Sequence, residues 1–483
     1  MALNQISINV ISYLTFNLLM VIGVSDAIHL LMKYHEEIDI NKEKKRALHR
    51  VIVKIGSALF LTSFTTSVGF LSLGITNVKI LQEFGIIMGI GIGILFLITI
   101  TLMPVMLYYI KIPNQIHIDR LVRKKESTLS YKILSFVKKR PKFIMVFSFL
   151  TILCSIYYST KIDSSVTILG DLKPGNKLYQ DINFVENNFG GTLPLEIVIH
   201  DLKKAELRSP VFKKKIDLFY EKLDQNKFIE SISGYYDIGG VDKSVNYRNF
   251  IKTSDLKNDV IGRETRISCS IVNIDSKQSE ELKIQIKKDY ESIFQNNNIK
   301  LTGSTLLALK MNEYLIDSLL KSFGLAFLII FISMNILFRS FKLSFISILP
   351  NIIPLLFAAG VMGALGIELR PATAMTFSIA LGIAVDDTIH FLSRFREEYT
   401  EHQSHKKATS YTILTTGRAI ISTTITLGMG FLVLIFSNFK PNFEFGILAT
   451  IILIVALICS LVLLPVLINF YKPLKSNYLN EAK

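Results

Sequence analysis

Nine predominantly apolar runs, several of 18 residues or more, divide this 483-residue chain, and they limit its fold more than any other feature. About 20 apolar residues in a helix match the hydrocarbon thickness of a bilayer. Lipid offers no hydrogen-bond partners, so each run must satisfy its backbone internally, as a helix. The runs lie near 8–33, 52–75, 84–110, 142–159, 316–338, 343–366, 371–394, 414–437 and 445–471. The expected class is an α-helical integral membrane protein. A hydrophobic share of 50% excludes a disordered or collagen-like chain. The start, Met-Ala-Leu-Asn-Gln, lacks the basic n-region of a cleavable signal peptide. Cys154, Cys269 and Cys459 lie far apart, two of them within apolar runs, so neither a disulfide framework nor a metal site is readable.

The net charge of +15 raises nucleic acid as a partner. The positions of the basic residues answer otherwise. They alternate sides: Lys42 to Arg50 after the first run; Arg120, Arg123, Lys124, Lys125 and Lys138 to Arg140 after the third; Arg339 and Lys342 after the fifth. Arg394, Arg396, Lys406, Lys407 and Arg418 follow the seventh, and Lys472 and Lys475 the ninth. The positive-inside rule places all of these in the cytoplasm. The N-terminus and the polar stretch 160–312 are then expected outside, the C-terminus inside, and the charge reports topology rather than nucleic-acid binding.

Residues 1–110 and 362–471 align without a gap at an offset of 361 (387 − 26). Thr15-Phe16 matches Thr376-Phe377; Asp26, Ile28 and His29 match Asp387, Ile389 and His390; Glu36-Glu37 matches Glu397-Glu398. Gly56, Thr62, Thr65, Gly69 and Phe70 match Gly417, Thr423, Thr426, Gly430 and Phe431. Asn77 matches Asn438, and Glu83 to Ile86 match Glu444 to Ile447. Such a register points to a duplicated, parallel membrane unit. Six segments are expected: 1–110, the last three helices of a first repeat; 111–141, a basic linker; 142–159, the first helix of a second repeat; 160–312, an external domain; 313–471, a five-helix bundle; and 472–483, a tail. On this reading about 221 residues (362 − 141) of a complete first repeat have no counterpart here, as in the C-terminal two-thirds of a 12-helix ancestor.

The stretch 160–312 is too long for a loop. Strand-like runs at Leu193–His200, Ile229–Ser233, Thr265–Ile274 and Ile299–Leu301 alternate with helical runs at Pro210–Leu223 and Lys277–Phe294. The order β-α-β-β-α-β is the split ferredoxin-like pattern. A helix near 176–189, ending at Gly190-Gly191, leads in. No nucleophile–base pair, phosphate loop or metal-ligand spacing stands in this domain, so a binding or conduit role is expected, with no enzymatic activity and no cofactor.

Asp26, Asp386 and Asp387 interrupt apolar runs. A carboxylate there costs about 2.5–3.5 kcal/mol on insertion scales, and such residues usually mark ion or proton pathways. His29 and His390 follow Asp26 and Asp387 at i+3, on the same helix face, so each pair can share a proton. Asp386 lies four residues before His390 and can join them; its counterpart is Ser25. An acid in low dielectric near a like charge holds its proton more tightly than in water. The bland alternative places the acids at inner helix ends, snorkelling to water beside Lys33 and Arg394. Thr62, Thr65 and Thr66, with Thr423, Thr424 and Thr426, give the next helix of each repeat a polar stripe that supports the acids or bonds its own backbone. Gly85, Gly89 and Gly93 read as close helix packing. Glu83 and Glu444 read as first-turn carboxylates facing the helix dipole.

These residues resemble the resistance–nodulation–division superfamily, and within it the MMPL and sterol-sensing-domain branch of lipid exporters. The likeness rests on Val385-Asp386-Asp387 with His390, Ser25-Asp26 with His29, the Thr-rich helix that follows, Gly69-Phe70, and Glu-Phe-Gly at 83–85 and 444–446. It implies export of a hydrophobic or lipid-like substrate from the bacterial cytoplasmic membrane, driven by protons. It implies that Asp26, Asp386 and Asp387 carry the relay and that the external domain is porter-like. The implied partners are membrane lipids, the substrate, protons, and a missing N-terminal half or a second copy. The unmatched half and Ser25 depart from the family pattern. Rival readings are a lipid- or sterol-sensing protein without transport, a non-functional fragment, or half of a split transporter.

Overall fold

The computed structural model describes residues 14–76, 78–112, 129–163, 170, 172–189, 191–200, 209–234, 260–261 and 264–474. Residues 8–13 of the first run, Asn77, Arg120 to Lys125 of the linker, Gly190 and Lys475 lie outside them. In chain order the elements are α1 Leu14–Asn41, α2 Lys44–Leu71, α3 Lys79–Tyr109, α4 Leu129–Lys139, α5 Pro141–Ser159 and α6 Lys177–Phe189. Then come β1 Leu193–Ile199, α7 Pro210–Asp224, β2 Ile229–Gly234, β3 Val260–Ile261, β4 Glu264–Ile271, α8 Ser276–Phe294 and β5 Ile299–Thr302. Last are α9 Ser304–Phe338, α10 Phe341–Leu365, α11 Pro371–His402, α12 His405–Leu432, α13 Lys440–Ile458 and α14 Leu464–Tyr471. They form two compact units: 1–163 with 315–437 and 441–483, and 164–314 with 438–440.

The first unit is helical. Nine helices among the described residues are long and apolar enough to cross a membrane. Exposed Leu, Ile, Val and Phe along α3, α5 and α9 give these helices the surface that hydrocarbon favours. Several helices run beyond the apolar windows expected from sequence. α1 ends at Asn41 rather than near 33, α2 starts at Lys44 rather than 52, α11 ends at His402 rather than 394, and α12 starts at His405 rather than 414. The extra turns are amphipathic and held by ion pairs such as Lys54–Glu37 (2.8 Å), which a hydropathy window does not register. α9 likewise begins at Ser304, before its apolar run at 316.

Element boundaries recur at the offset of 361. α2 and the 3₁₀ turn Ser72–Ile75 correspond to α12 and the 3₁₀ turn Val433–Phe436. The tight turn before each uses one residue with positive φ, Lys42 (52°) and Gln403 (47°). α3 corresponds to α13 and α14. Pro104 lies within the continuous α3, whereas its match Pro465 follows a π-helical stretch, Cys459–Leu463. Proline removes one backbone donor, and a widened turn is one way to absorb the loss.

The second unit is a sheet of order β2-β4-β1-β5, antiparallel throughout, with β3 a short hairpin partner of β4. That is the ferredoxin-like order for a β-α-β-β-α-β chain. Leu195, Ile197 and Ile199 of β1 alternate inward beside Ile267, Cys269 and Ile271 of β4. Phe212, Ile216, Phe219 and Leu223 of α7, with Leu282, Ile286, Tyr290 and Phe294 of α8, complete this core. Tyr290 stacks on Phe294 at 4.4 Å, and burial pushes its phenol up to about 12. The opposite sheet face is polar, with Ser268 donating to Glu196 at 2.9 Å.

Candidate functional site

Asp26 and Asp387 stand far inside their helices. Asp26 is 12 residues past Leu14 (26 − 14), and Asp387 is 15 before His402 (402 − 387). Each is 4% exposed. A buried carboxylate needs donors, and the neighbouring helix supplies one in each case. Ser63 Oγ donates to Asp26 Oδ2 at 3.4 Å, and Thr424 Oγ1 to Asp387 Oδ2 at 3.2 Å. Ser63 and Thr424 occupy matching positions (424 − 63 = 361), so one acid–hydroxyl pair occurs twice.

Thr424 is one of the threonines expected from the sequence to serve the acids; Ser63, its counterpart, is not, and most of the other threonines bond their own helix. Thr65 donates to the Thr62 carbonyl, Thr423 to Ala419 and Ile420, and Thr426 to Ser422, as helix threonines commonly do. Thr62 donates to the Leu59 carbonyl and also stands beside the Asp386 carboxylate. The signal for Ser63 was present: it and Thr424 both lie 37 residues after their acids, at equal spacing in the two copies. Ser63 breaks the run of threonines, and that hid it.

The two copies meet at their histidines. The His29 and His390 rings stack at 3.8 Å with a 14° interplanar angle. His390 Nε2 lies 3.2 Å from Asp386 Oδ1. The rings are 2% and 3% exposed, so neither these histidines nor the acids have the exposure of an interfacial, snorkelling side chain. Ser25, Asp26, Thr62, Ser63, Thr66 and Asp386 surround a space of about 10 Å³, at the lower limit for one water. A cavity of about 430 Å³ starts at His29 and His390 and continues past Lys33, Lys54, Arg394 and Glu397. The stacked imidazoles therefore stand between a roomy cavity with charged residues on its wall and a tightly packed acid cluster.

A charged network beyond the histidines was not foreseen. Arg394 bonds Glu397 on its own helix at 2.9 Å and reaches Glu36 of α1 at 3.0 Å and Glu398 at 2.7 Å. Lys54 joins Glu37 and Glu397 at 2.8 and 3.3 Å. Glu36-Glu37 and Glu397-Glu398 already stood out as repeat matches, which was the available signal.

The small residues divide. A Cβ at Gly85 would lie 2.5 Å from the Phe70 carbonyl oxygen and 2.9 Å from Leu73 Cβ. At Gly446 the same clashes arise with Phe431 (2.7 Å) and Leu434 (2.9 Å), all at the offset of 361. Gly89 packs against Leu71. Gly93 has nothing within 4 Å, so close packing does not account for it. Glu83 and Glu444 are fifth residues of their helices, which begin at Lys79 and Lys440, not first-turn carboxylates. Glu444 is buried, whereas Glu83 stays 3.9 Å from Lys79.

The chain is 23% identical to membrane protein MJ1562 of Methanocaldococcus jannaschii over 363 residues, 70% of this chain and 92% of that one. It is 33% identical over 116 residues to protein patched homolog 1 of Caenorhabditis elegans, 24% of this chain and 8% of that protein. It is 25% identical over 85 residues to the sulfolipid-1 exporter MmpL8 of Mycobacterium tuberculosis H37Rv, 18% of this chain and 8% of that protein. Residues 2–144 and 213–471 match the MMPL family, and with most of its length covered the chain belongs to that family.

Proposed function

We propose that this protein is a transporter of a hydrophobic or lipid-like molecule, driven by protons that pass through the Asp26, Asp386 and Asp387 cluster with His29 and His390. Membership of the MMPL family and the likeness to a sulfolipid exporter support the substrate class. The observation that carries the proton coupling is the repeated acid–hydroxyl pair, Asp26–Ser63 and Asp387–Thr424, brought together at stacked imidazoles. Protonating a buried acid removes a charge that low dielectric penalises. The two copies then adjust at their shared interface, and the α/β unit turns that adjustment into passage of substrate. The N-terminus and the α/β unit lie outside the cell on this reading, the ends rich in Lys and Arg inside.

The test is transport of a fluorescent lipid analogue in proteoliposomes under an imposed proton gradient. Asp387→Asn should reduce the rate by two orders of magnitude or more while leaving membrane insertion intact. Unchanged transport removes the relay assignment. A second reading, lipid or sterol sensing without transport, uses the same five-helix bundle, which resembles that of sterol-sensing domains, and needs no proton flux. An uncoupler separates the two: a sensor binds its lipid equally well with the gradient collapsed, and the transporter stalls.

A further inference from the structure

The short helix α4 precedes α5 with a single residue, Arg140, at the corner, and its two faces differ. Ser130, Leu134 and Val137, at i, i+4 and i+7, are buried. Leu134 and Val137 join the main core of the bundle, and Ser130 Oγ stands 3.6 Å from the place a Cβ on Gly417 of α12 would take. Lys132, Ser135, Phe136 and Lys139, at i, i+3, i+4 and i+7, form another face and are exposed. Together with Arg140 and Phe143 they line a recess of about 610 Å³.

Three cations share this recess. No carboxylate occurs between Leu129 and Phe143 in the sequence, and among the described residues none of Lys132, Lys139 and Arg140 forms an ion pair. Lys33, Lys54 and Arg394, by contrast, all lie against glutamates. Like charges held together repel, and an anion between them removes the repulsion. The floor of the recess is aromatic. Phe136 and Phe143 meet edge to face at 6.4 Å, and Phe143 stacks on Phe147 at 5.9 Å. All three rings are exposed, as are Val146, Phe149 and Leu150 along the apolar span of α5. Positive charge at the end of a span, with phenyl rings running from it along the span, matches an amphiphile: an anionic group at the charged end and a chain beside the rings. The positive-inside rule requires only that Lys and Arg lie on one side of the membrane. It requires neither their convergence nor an aromatic floor.

We infer that Lys132, Lys139 and Arg140 hold the phosphodiester of one anionic phospholipid, with the Ser135 hydroxyl as a further donor and an acyl chain lying along Phe136, Phe143 and Phe147. This lipid is a resident of the protein and not its cargo, and the inference does not depend on the transport reading above.

The experiment uses the full chain, delipidated in a neutral detergent, and native mass spectrometry. Phosphatidylglycerol is the probe; phosphatidylcholine, with the same chains but no net charge, and inorganic phosphate are the alternatives. One phosphatidylglycerol should be retained, about tenfold or more tighter than phosphatidylcholine. The triple variant Lys132→Gln, Lys139→Gln, Arg140→Gln should lose this preference. The charge-matched triple variant Lys45→Gln, Arg46→Gln, Arg50→Gln, at exposed positions of α2, should keep it, as should Lys132→Arg with Lys139→Arg. Phe136→Ser with Phe143→Ser should weaken phosphatidylglycerol binding, and inorganic phosphate in large excess should not displace the lipid. Equal retention of the two lipids by the wild type overturns the site, as does loss of the preference in the α2 variant. Displacement by inorganic phosphate makes the recess a site for a free anion and overturns the lipid assignment.

Discussion

At the scale of single residues, the acids decide what their neighbours must be. A carboxyl group buried in an apolar helix bundle is tolerable only when something donates to it, and here the donor is one hydroxyl on the next helix. Ser63→Ala and Thr424→Ala should each slow transport about tenfold, the kinetic equivalent of about 1.4 kcal/mol for a lost hydrogen bond to an ionisable group. Thr423→Ala, whose hydroxyl bonds its own helix, should have little effect. Parallel rate measurements on the three variants check this, and equal effects would show that the stripe acts as a whole. The acids and histidines were legible in the sequence because charge in an apolar run is conspicuous. Of their donors, Thr424 was legible only as one of six threonines and Ser63 not at all, because Ser and Thr are ordinary in membrane helices and composition does not say which hydroxyl faces which acid. Asp386 is a further instance. With Ser25 as its counterpart its role was open, and only the fold places it between its own His390 and His29 of the other copy.

At the scale of elements, the glycines show where backbones touch. Gly85 and Gly446 each admit a preceding turn so closely that a methyl group would meet a carbonyl oxygen, in both copies at matching residues. Gly85→Ala and Gly446→Ala should each destabilise the protein by about 1–3 kcal/mol, the usual cost of overpacking. Gly93→Ala should be neutral or slightly stabilising, since its added methyl meets nothing and alanine favours helix. Thermal unfolding read with a thiol dye on the buried Cys269 and Cys459 measures all three. The sequence pattern alone treated Gly85, Gly89 and Gly93 as one motif. Spacing reveals a stripe of small residues but not which of them meets another chain segment. The strands and helices of the α/β unit, by contrast, were readable nearly to their ends. Alternation in β1 and a capping box at Asp275 and Gln278 are local signals.

At the scale of the whole chain, the charged network is what couples α1 to α11 beyond the histidines. Arg394 and Glu36 are 358 residues apart in sequence and 3.0 Å apart in space. A double-mutant cycle with Arg394→Met and Glu36→Gln should give a coupling energy of about 0.5–3 kcal/mol, read from unfolding midpoints. Strict additivity would show that the pair contributes nothing. Helix number and order were legible because hydropathy sets them. The helix extensions toward this network were not, because they are polar and draw their stability from partners distant in sequence.

The copies are not joined evenly. Gly69 and Gly382 bring the backbones of α2 and α11 against each other: a Cβ on Gly69 would lie 3.2 Å from the Ser378 carbonyl oxygen, and Thr66 Oγ1 donates to the Gly382 carbonyl at 3.1 Å. At the matching crossing, Gly430 meets the side chain of Val21 instead. One crossing is stiff and hydrogen-bonded, and the other is cushioned by methyl groups. If the copies move as the transport reading requires, the hydrogen-bonded backbone contact at Gly69 and Gly382 has to break or travel as a unit, whereas the contact of Val21 with Gly430 can slide.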